Sequence, residues 1–368
     1  MLDWAQIFDR FERGSMLYHG FQWLSYSVPF FSVFHSVLLR TLLGLGTGFV
    51  LSLLGGAWFI KESARFRSQV REDTPQSHQA KNDTPTMGGL FVLGSVFATT
   101  FLWCDLTRPE VWIFMGCLAG YGAIGFWDDI MKIRFKKGIK EKHKFLAQIL
   151  VGLLVTVLWY LVLTPSTEIS IPLVPSLQLS LGLLLIPWAT YILIGTSNAV
   201  NLTDGLDGLA IGSLLANYGT FAVICYLSGS YVYAQQLSIP YVHTSEIALI
   251  GGILVGASLG FLWYNAYPAQ VFMGDVGSLA LGSGLALMAL MARQELLLAI
   301  TGGVFVAETV SVMLQVASYK FLKRRLFKMA PIHHHFELAG WPETHITTRF
   351  GIITGLLCII ALSTLIAR

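Results

Sequence analysis

The stretch VFMGDVGSLALGSGLALMALMA, residues 271–292, carries a single charged side chain. A hydrocarbon core of about 30 Å is crossed by roughly 20 apolar residues in a helix, so this run is long enough to span a bilayer. Its one acid, Asp275, stands between Gly274 and Gly277 near the start of the run. A carboxylate there must be solvated, paired or bound to a cation, because a bare charge in hydrocarbon is costly. Capping of the following helix by Asp275 and cation binding both fit the sequence at this point.

The rest of the chain resembles this run. Of 368 residues, 54% are hydrophobic and only 12% charged, about half the charged share of a soluble domain. Further apolar runs lie near 37–60, 88–104, 111–127, 145–163, 181–200, 209–228, 246–264, 296–319 and 350–367. The expected fold is therefore an all-α polytopic integral membrane protein of about ten transmembrane helices. It reads as a single integral membrane domain: an aromatic-rich interfacial segment over 1–36, then a ten-helix bundle over 37–367. Acids at Asp3, Asp9 and Glu12, with no basic region before an apolar run, argue against a cleaved signal peptide. Cys104, Cys117, Cys225 and Cys358 fall inside apolar runs and read as buried small residues. Gly302 and Gly303 in the ninth run, ahead of an intramembrane Glu308, predict a kink or break.

Lysine and arginine set the orientation. Eighteen of the 24 basic residues fall in loops 61–87, 128–144 and 320–349. Loops near 105–110, 164–180, 229–245 and 293–295 hold only Arg108 and Arg293. This asymmetry puts five loops in the cytoplasm and both termini outside, in the periplasm. Outer loop 164–180, with weak alternation and three prolines, reads as a short periplasmic β-hairpin lying on the membrane.

Against this background the acids at span ends stand out. Asp128 and Asp129 close the third span, with Lys132 one turn further on. Asp204 and Asp207 lie at the junction of the fifth and sixth spans, and Asp275 opens the eighth. Each has an ordinary reading: a solvated i,i+4 pair, an Asx turn, a helix cap. All three on one predicted face are better explained by a shared polar pathway. So many carboxylates need cations. Mg2+ takes one or two carboxylates and leaves its other positions to water and phosphates, which Lys132 and Lys144 could also meet. The set suggests phosphoryl transfer at a membrane surface. His333, His334 and His335 are adjacent, a poor geometry for one zinc ion, and read better as pyrophosphate partners or structural imidazoles.

The motifs FWDDIMK (126–132), NAVNLTDGLDGLA (198–210), FMGDVGSLALG (272–282) and PIHHHFELAGWPE (331–343) resemble the polyprenyl-phosphate N-acetylhexosamine-1-phosphate transferases. KNDTPTMGG (81–89) and the HHHFE stretch are similar to the branch acting on UDP-N-acetylmuramoyl-pentapeptide. The resemblance implies a cytoplasm-facing, Mg2+-dependent enzyme, commonly a homodimer. It would move phospho-N-acetylmuramoyl-pentapeptide from UDP to undecaprenyl phosphate, giving lipid I and UMP in peptidoglycan synthesis. Nucleoside natural products inhibit the family, and no nucleic acid partner is expected. By this resemblance Asp275 is the Mg2+ ligand, with Asp128 and Asp129 beside it, and Lys132 and Lys144 lie near the phosphates. Lys81, Gly205, Leu206, Asp207, Asn265 and Phe272 would form the uracil pocket, Phe272 stacking on the base. Asn201, Asp204 and His333–His335 complete the cleft. Asp128 resembles a general base, although a phosphate nucleophile with a second pKa near 6 is already mostly a dianion at neutral pH. Gly274 and Gly277 would give substrate room to approach the backbone. A sister transferase using UDP-N-acetylglucosamine is the nearest rival. A transporter would place its acids at the midplane and often show repeated halves, and a scaffold would not explain the acid clusters.

Overall fold

A computed structural model describes residues 17–62, 84–172 and 178–366. Lys81 and the other basic residues of 63–83 lie outside the described residues. The described part of the interfacial segment is a short helix α1 (Tyr18–Ser25) followed by a 3-10 turn over Pro29–His35. Phe21 and Phe34 stack there with Trp103.

Every expected span is a helix. They are α2 (Val37–Glu62), α3 (Gly89–Trp103), α4 (Pro109–Phe135), α5 (Glu141–Leu163), α6 (Leu185–Thr203) and α7 (Leu209–Ser228). After a short α8 (Tyr231–Gln236) come α9 (Ser245–Asn265), α10 (Gly274–Met291), α11 (Glu295–Thr301) and α12 (Gly303–Leu322). The short α13 (Ile332–Leu338) and long α14 (Glu343–Ile366) follow. Eight of these helices are long and apolar enough to cross a membrane alone, which makes this a multi-pass membrane protein. The ninth expected span is broken: α11 and α12 meet at an angle of 81°, at the predicted glycine pair. The second is short. At 1.5 Å per residue, the 15 residues of α3 reach only about 22 Å. Backbone pairing upstream limits it, since Phe272 donates to Pro85 O and Gly88 donates back to Phe272 O, both at 2.8 Å.

The opening stretch forms the central post. Helix α10 is almost wholly buried and packs on α3, α4, α6 and α7. Small residues make this possible: a Cβ on Gly282 would meet Ser197 Cα at 2.8 Å. The same logic joins α2 to α9, where a Cβ on Gly44 would meet Ile253 at 2.9 Å. Near the opposite end, Arg40 of α2 and Glu246 of α9 form a buried ion pair (2.7 Å), and Arg40 also donates to Trp103 O. The predicted hairpin is present as β1 (Glu168–Ser170) and β2 (Gln178–Ser180), antiparallel with Ile169 opposite Leu179. All four cysteines are free and buried.

Candidate active site

The end of α4, the start of α5, the end of α6 and the start of α10 converge. Asp128 and Asp129, both buried, project from the last turns of α4. Lys132, one turn on, bridges Asp128 Oδ2 (2.8 Å) and Asp275 Oδ1 (2.9 Å), and lies 3.6 Å from Asp129. Lys144 of α5 bridges the same two carboxylates, 3.3 Å from Asp128 Oδ2 and in close contact with Asp275 Oδ2. Asn201 of α6 donates to Asp275 Oδ1 (3.2 Å) and Ser278 Oγ (2.8 Å). Three carboxylates and two ammonium groups therefore occupy one cluster with a net negative charge.

Two expectations need correction. Asp275 is not the cap of α10. A first-turn amide with no partner within the helix, Val276 N–H, donates instead to Asp129 Oδ2 at 3.1 Å, so capping comes from another helix and leaves Asp275 facing the lysines. Nor do Gly274 and Gly277 leave room for substrate. A Cβ on Gly274, which sits at φ +72°, would meet Asp129 Oδ2 at 2.6 Å; one on Gly277 would meet Gly89 Cα at 2.9 Å. The space is filled by the protein, and the glycines let α3, α4 and the start of α10 close around the carboxylates.

Asp128 is fully engaged. Its Oδ1 accepts the Ile139 N–H (2.7 Å) from the α4–α5 loop, and its Oδ2 receives both lysines. This arrangement suits a residue that positions ammonium groups better than one that takes a proton.

The loop 204–208 forms a second lobe. Asp204 is half-buried; loss of hydration, then the charges of Asp275, Asp129 and Asp207, push its pKa up to about 7, with Lys132 opposing. Asp207 Oδ2 accepts from Ala269 N–H (3.0 Å), while its own N–H donates to Glu343 Oε1 (2.7 Å). Asn265 accepts from Gly208 N–H (3.0 Å) and donates to Val271 O (2.8 Å), so both ends of its amide hold loops together. Leu206 is buried against Leu209, Val304, Ile346 and Phe350, while half-buried Phe272 pairs through its backbone with Pro85 and Gly88. The three histidines diverge. His333 is buried against Gly205 and Glu308, His334 Nδ1 meets Glu337 (2.7 Å), and His335 Nδ1 accepts from Lys328 N–H (3.1 Å). Sequence reasoning missed Ser278, Glu343 and the Ile139 amide. Glu343 closes the PIHHHFELAGWPE motif and could have been picked out there; the other two carry no sequence signal.

A multi-pass bundle whose span ends gather carboxylates and lysines in one cluster defines a membrane protein with a site for charged ligands. Consistent with this, residues 111–293 match the model of glycosyl transferase family 4, and residues 81–93 match signature 1 of phospho-N-acetylmuramoyl-pentapeptide-transferase. The chain is 45% identical over 358 residues to the phospho-N-acetylmuramoyl-pentapeptide-transferase of Geobacter sp. (strain M21), covering 96% of this chain and all of that protein. It is 44% identical, with the same coverage, to the enzyme of that name from Citrifermentans bemidjiense. The chain belongs to the phospho-N-acetylmuramoyl-pentapeptide-transferase family.

Proposed function

We propose that this cleft transfers phospho-N-acetylmuramoyl-pentapeptide from its UDP carrier to undecaprenyl phosphate, yielding lipid I and UMP with Mg2+ as cofactor. The observation that carries this reading is the pair of ammonium groups held between Asp128 and Asp275 at the mouth of α10. A diphosphate entering there meets Lys132, Lys144 and the start of a helix, three features that favour negative charge.

The donor set suits Mg2+. Asp275, Asp128 and Asp129 offer hard oxygens, and their charge exceeds that of the two lysines. Among the described residues no three Asp, Glu, His or Cys side chains converge as a metal cage. Mg2+ typically takes one or two carboxylates and completes its shell with water and substrate phosphates. Asp275 would hold it, with Asp128 or Asp129 beside it. A Mg2+ ion held by these residues would supply charge neutralisation for the diphosphate and Lewis-acid polarisation of the bond that breaks.

In the proposed reaction an oxygen of the lipid phosphate attacks the β-phosphorus. The bond from that phosphorus to the bridging oxygen breaks, and the oxygen departs on UMP. Lys132 and Lys144 move from carboxylate to phosphate oxygens as charge develops. Asp128 orients them, and the attacking dianion needs no base. The loop 204–208, with Asn265 and Phe272 behind it, holds the nucleotide, and Lys81 belongs to the same pocket by family resemblance. The basic loops support a cytoplasmic position for this end of the bundle, where the nucleotide donor is made. The bent pair α11–α12 opens a route for the polyprenyl chain from the bilayer. A homodimer, and inhibition by nucleoside natural products occupying the nucleotide lobe, follow from the same family reading.

The test uses purified protein, UDP-N-acetylmuramoyl-pentapeptide, a polyprenyl phosphate and Mg2+. A lipid-extractable product is expected with this donor and not with UDP-N-acetylglucosamine. Product from the second donor alone would point to the sister transferases.

A further inference from the structure

Glu308 is an acid with no exposure to solvent, on α12 just past the break in the ninth span. A carboxylate so placed is expensive unless it is partnered, and such residues mark function more often than packing. Its Oε2 lies 3.1 Å from His333 Nδ1 and accepts the His333 backbone N–H at 3.4 Å. Both contacts go to one residue, on α13. His333 is itself buried; its Nδ1 sits at ion-pair distance from Glu308 without hydrogen-bond geometry, and Nε2 and Glu308 Oε1 have no hydrogen-bond partner among the described residues. That edge of the ring points at Gly205, where a Cβ would come within 2.8 Å of His333 Cε1. Gly205 lies between Asp204 and Leu206, in the loop assigned above to the nucleotide lobe. The backbone N–H of His333 is thus tied to a buried carboxylate, one ring nitrogen lies 3.1 Å from the same group, and the other faces Gly205, which has no side chain.

We propose that Glu308 is a positioning residue for the reaction, acting through His333. Its carboxylate keeps a proton on Nδ1 and fixes the ring, so that Nε2 is presented to the nucleotide-diphosphate in the lobe formed by 204–208. The logic matches that of carboxylates that orient metal-bound histidines, whose loss costs about 10- to 100-fold. The same contact ties the half of the broken span that carries Glu308 to the nucleotide lobe. This inference rests on the reading of His333 as a site residue.

The experiment compares Glu308→Ala, Glu308→Gln, His333→Ala and the Glu308→Ala/His333→Ala double variant in the full-length protein. Each is first checked for a single symmetrical peak in gel filtration. Glu308→Ala should lower kcat by about 10- to 100-fold, with a much smaller change in KM for the nucleotide. Glu308→Gln, which keeps an acceptor oxygen, should recover most of the loss. The double variant should be no worse than His333→Ala. If Glu308→Ala does not fold, Glu308→Met of similar volume takes its place. Full kcat in the alanine or methionine variant, a glutamine variant as poor as alanine, or multiplying losses in the double variant would each overturn the proposal. A fully active His333→Ala would instead overturn the site reading of His333, and the proposal with it.

Discussion

Replacing Asp129 with alanine removes the acceptor for Val276 N–H, one of the unsatisfied amides at the start of α10. Val276 is buried, so water cannot take the place of the carboxylate. A hydrogen bond from a buried amide to a charged acceptor contributes about 1.5–3 kcal/mol, and loss of an N-terminal cap about 0.5–2 kcal/mol. Lys132 keeps its closer contacts with Asp128 and Asp275, so the expected loss is roughly 2 kcal/mol rather than the sum of those ranges. Asparagine at 129 retains a carbonyl acceptor in nearly the same place and gives up only the charge. Thermal unfolding of the detergent-solubilised protein, followed by tryptophan fluorescence, should therefore show Asp129→Ala several degrees below wild type and Asp129→Asn much closer to it. Activity should follow the same order, because the first turn of α10 carries Asp275. Equal melting temperatures for the two variants would refute the capping account.

Three further outcomes follow from the same geometry. Gly274→Ala should be destabilising, since an L-residue at φ +72° costs about 1–2 kcal/mol and the new Cβ would crowd Asp129; wild-type stability in a melting assay would contradict this. Asp204, raised from 3.8 to about 7, binds its proton more tightly folded than unfolded. In chelator its contribution therefore destabilises the fold progressively as pH rises from about 4 to about 7, by up to roughly 4 kcal/mol. Melting temperature should fall over that window, Asp204→Asn should flatten the fall, and added Mg2+ should reverse it; a flat wild-type profile would exclude the effect. Asp128→Asn should lose activity at every pH, with no more recovery at high pH than wild type, because its role is to hold Lys132 and Lys144. Selective recovery at alkaline pH would restore the general-base reading.

The bundle was legible because bilayer thickness imposes a length that composition alone can meet. The break at Gly302–Gly303 was legible because two adjacent glycines weaken a helix wherever they fall. The carboxylates of the site were legible for a related reason: in a chain so poor in charge, each acid at a span end needs a cause. What the sequence hid was pairing at a distance. Lys144 reaches Asp275 from another helix, and Arg40 reaches Glu246 across more than two hundred positions. Periodicity cannot report such contacts. Asp129 and Asp275 look interchangeable along the chain, yet one caps a helix and the other faces the lysines. That difference arises only where Gly125 lets α4 approach the backbone of Asp275. Nothing along the chain signals that Asn265 is engaged at both ends of its amide, by Gly208 N–H and Val271 O, because that depends on the path of two loops.

The cluster of Asp128, Asp129, Asp275, Lys132 and Lys144 is proposed to transfer a phosphosugar and not the sugar alone. The nucleotide released by purified protein from UDP-N-acetylmuramoyl-pentapeptide and polyprenyl phosphate tests it most directly. The account predicts UMP, with a label on the β-phosphate passing into the lipid, and loss of both signals in Lys132→Ala and Asp275→Asn. Release of UDP, with the label left in the aqueous phase, would contradict it.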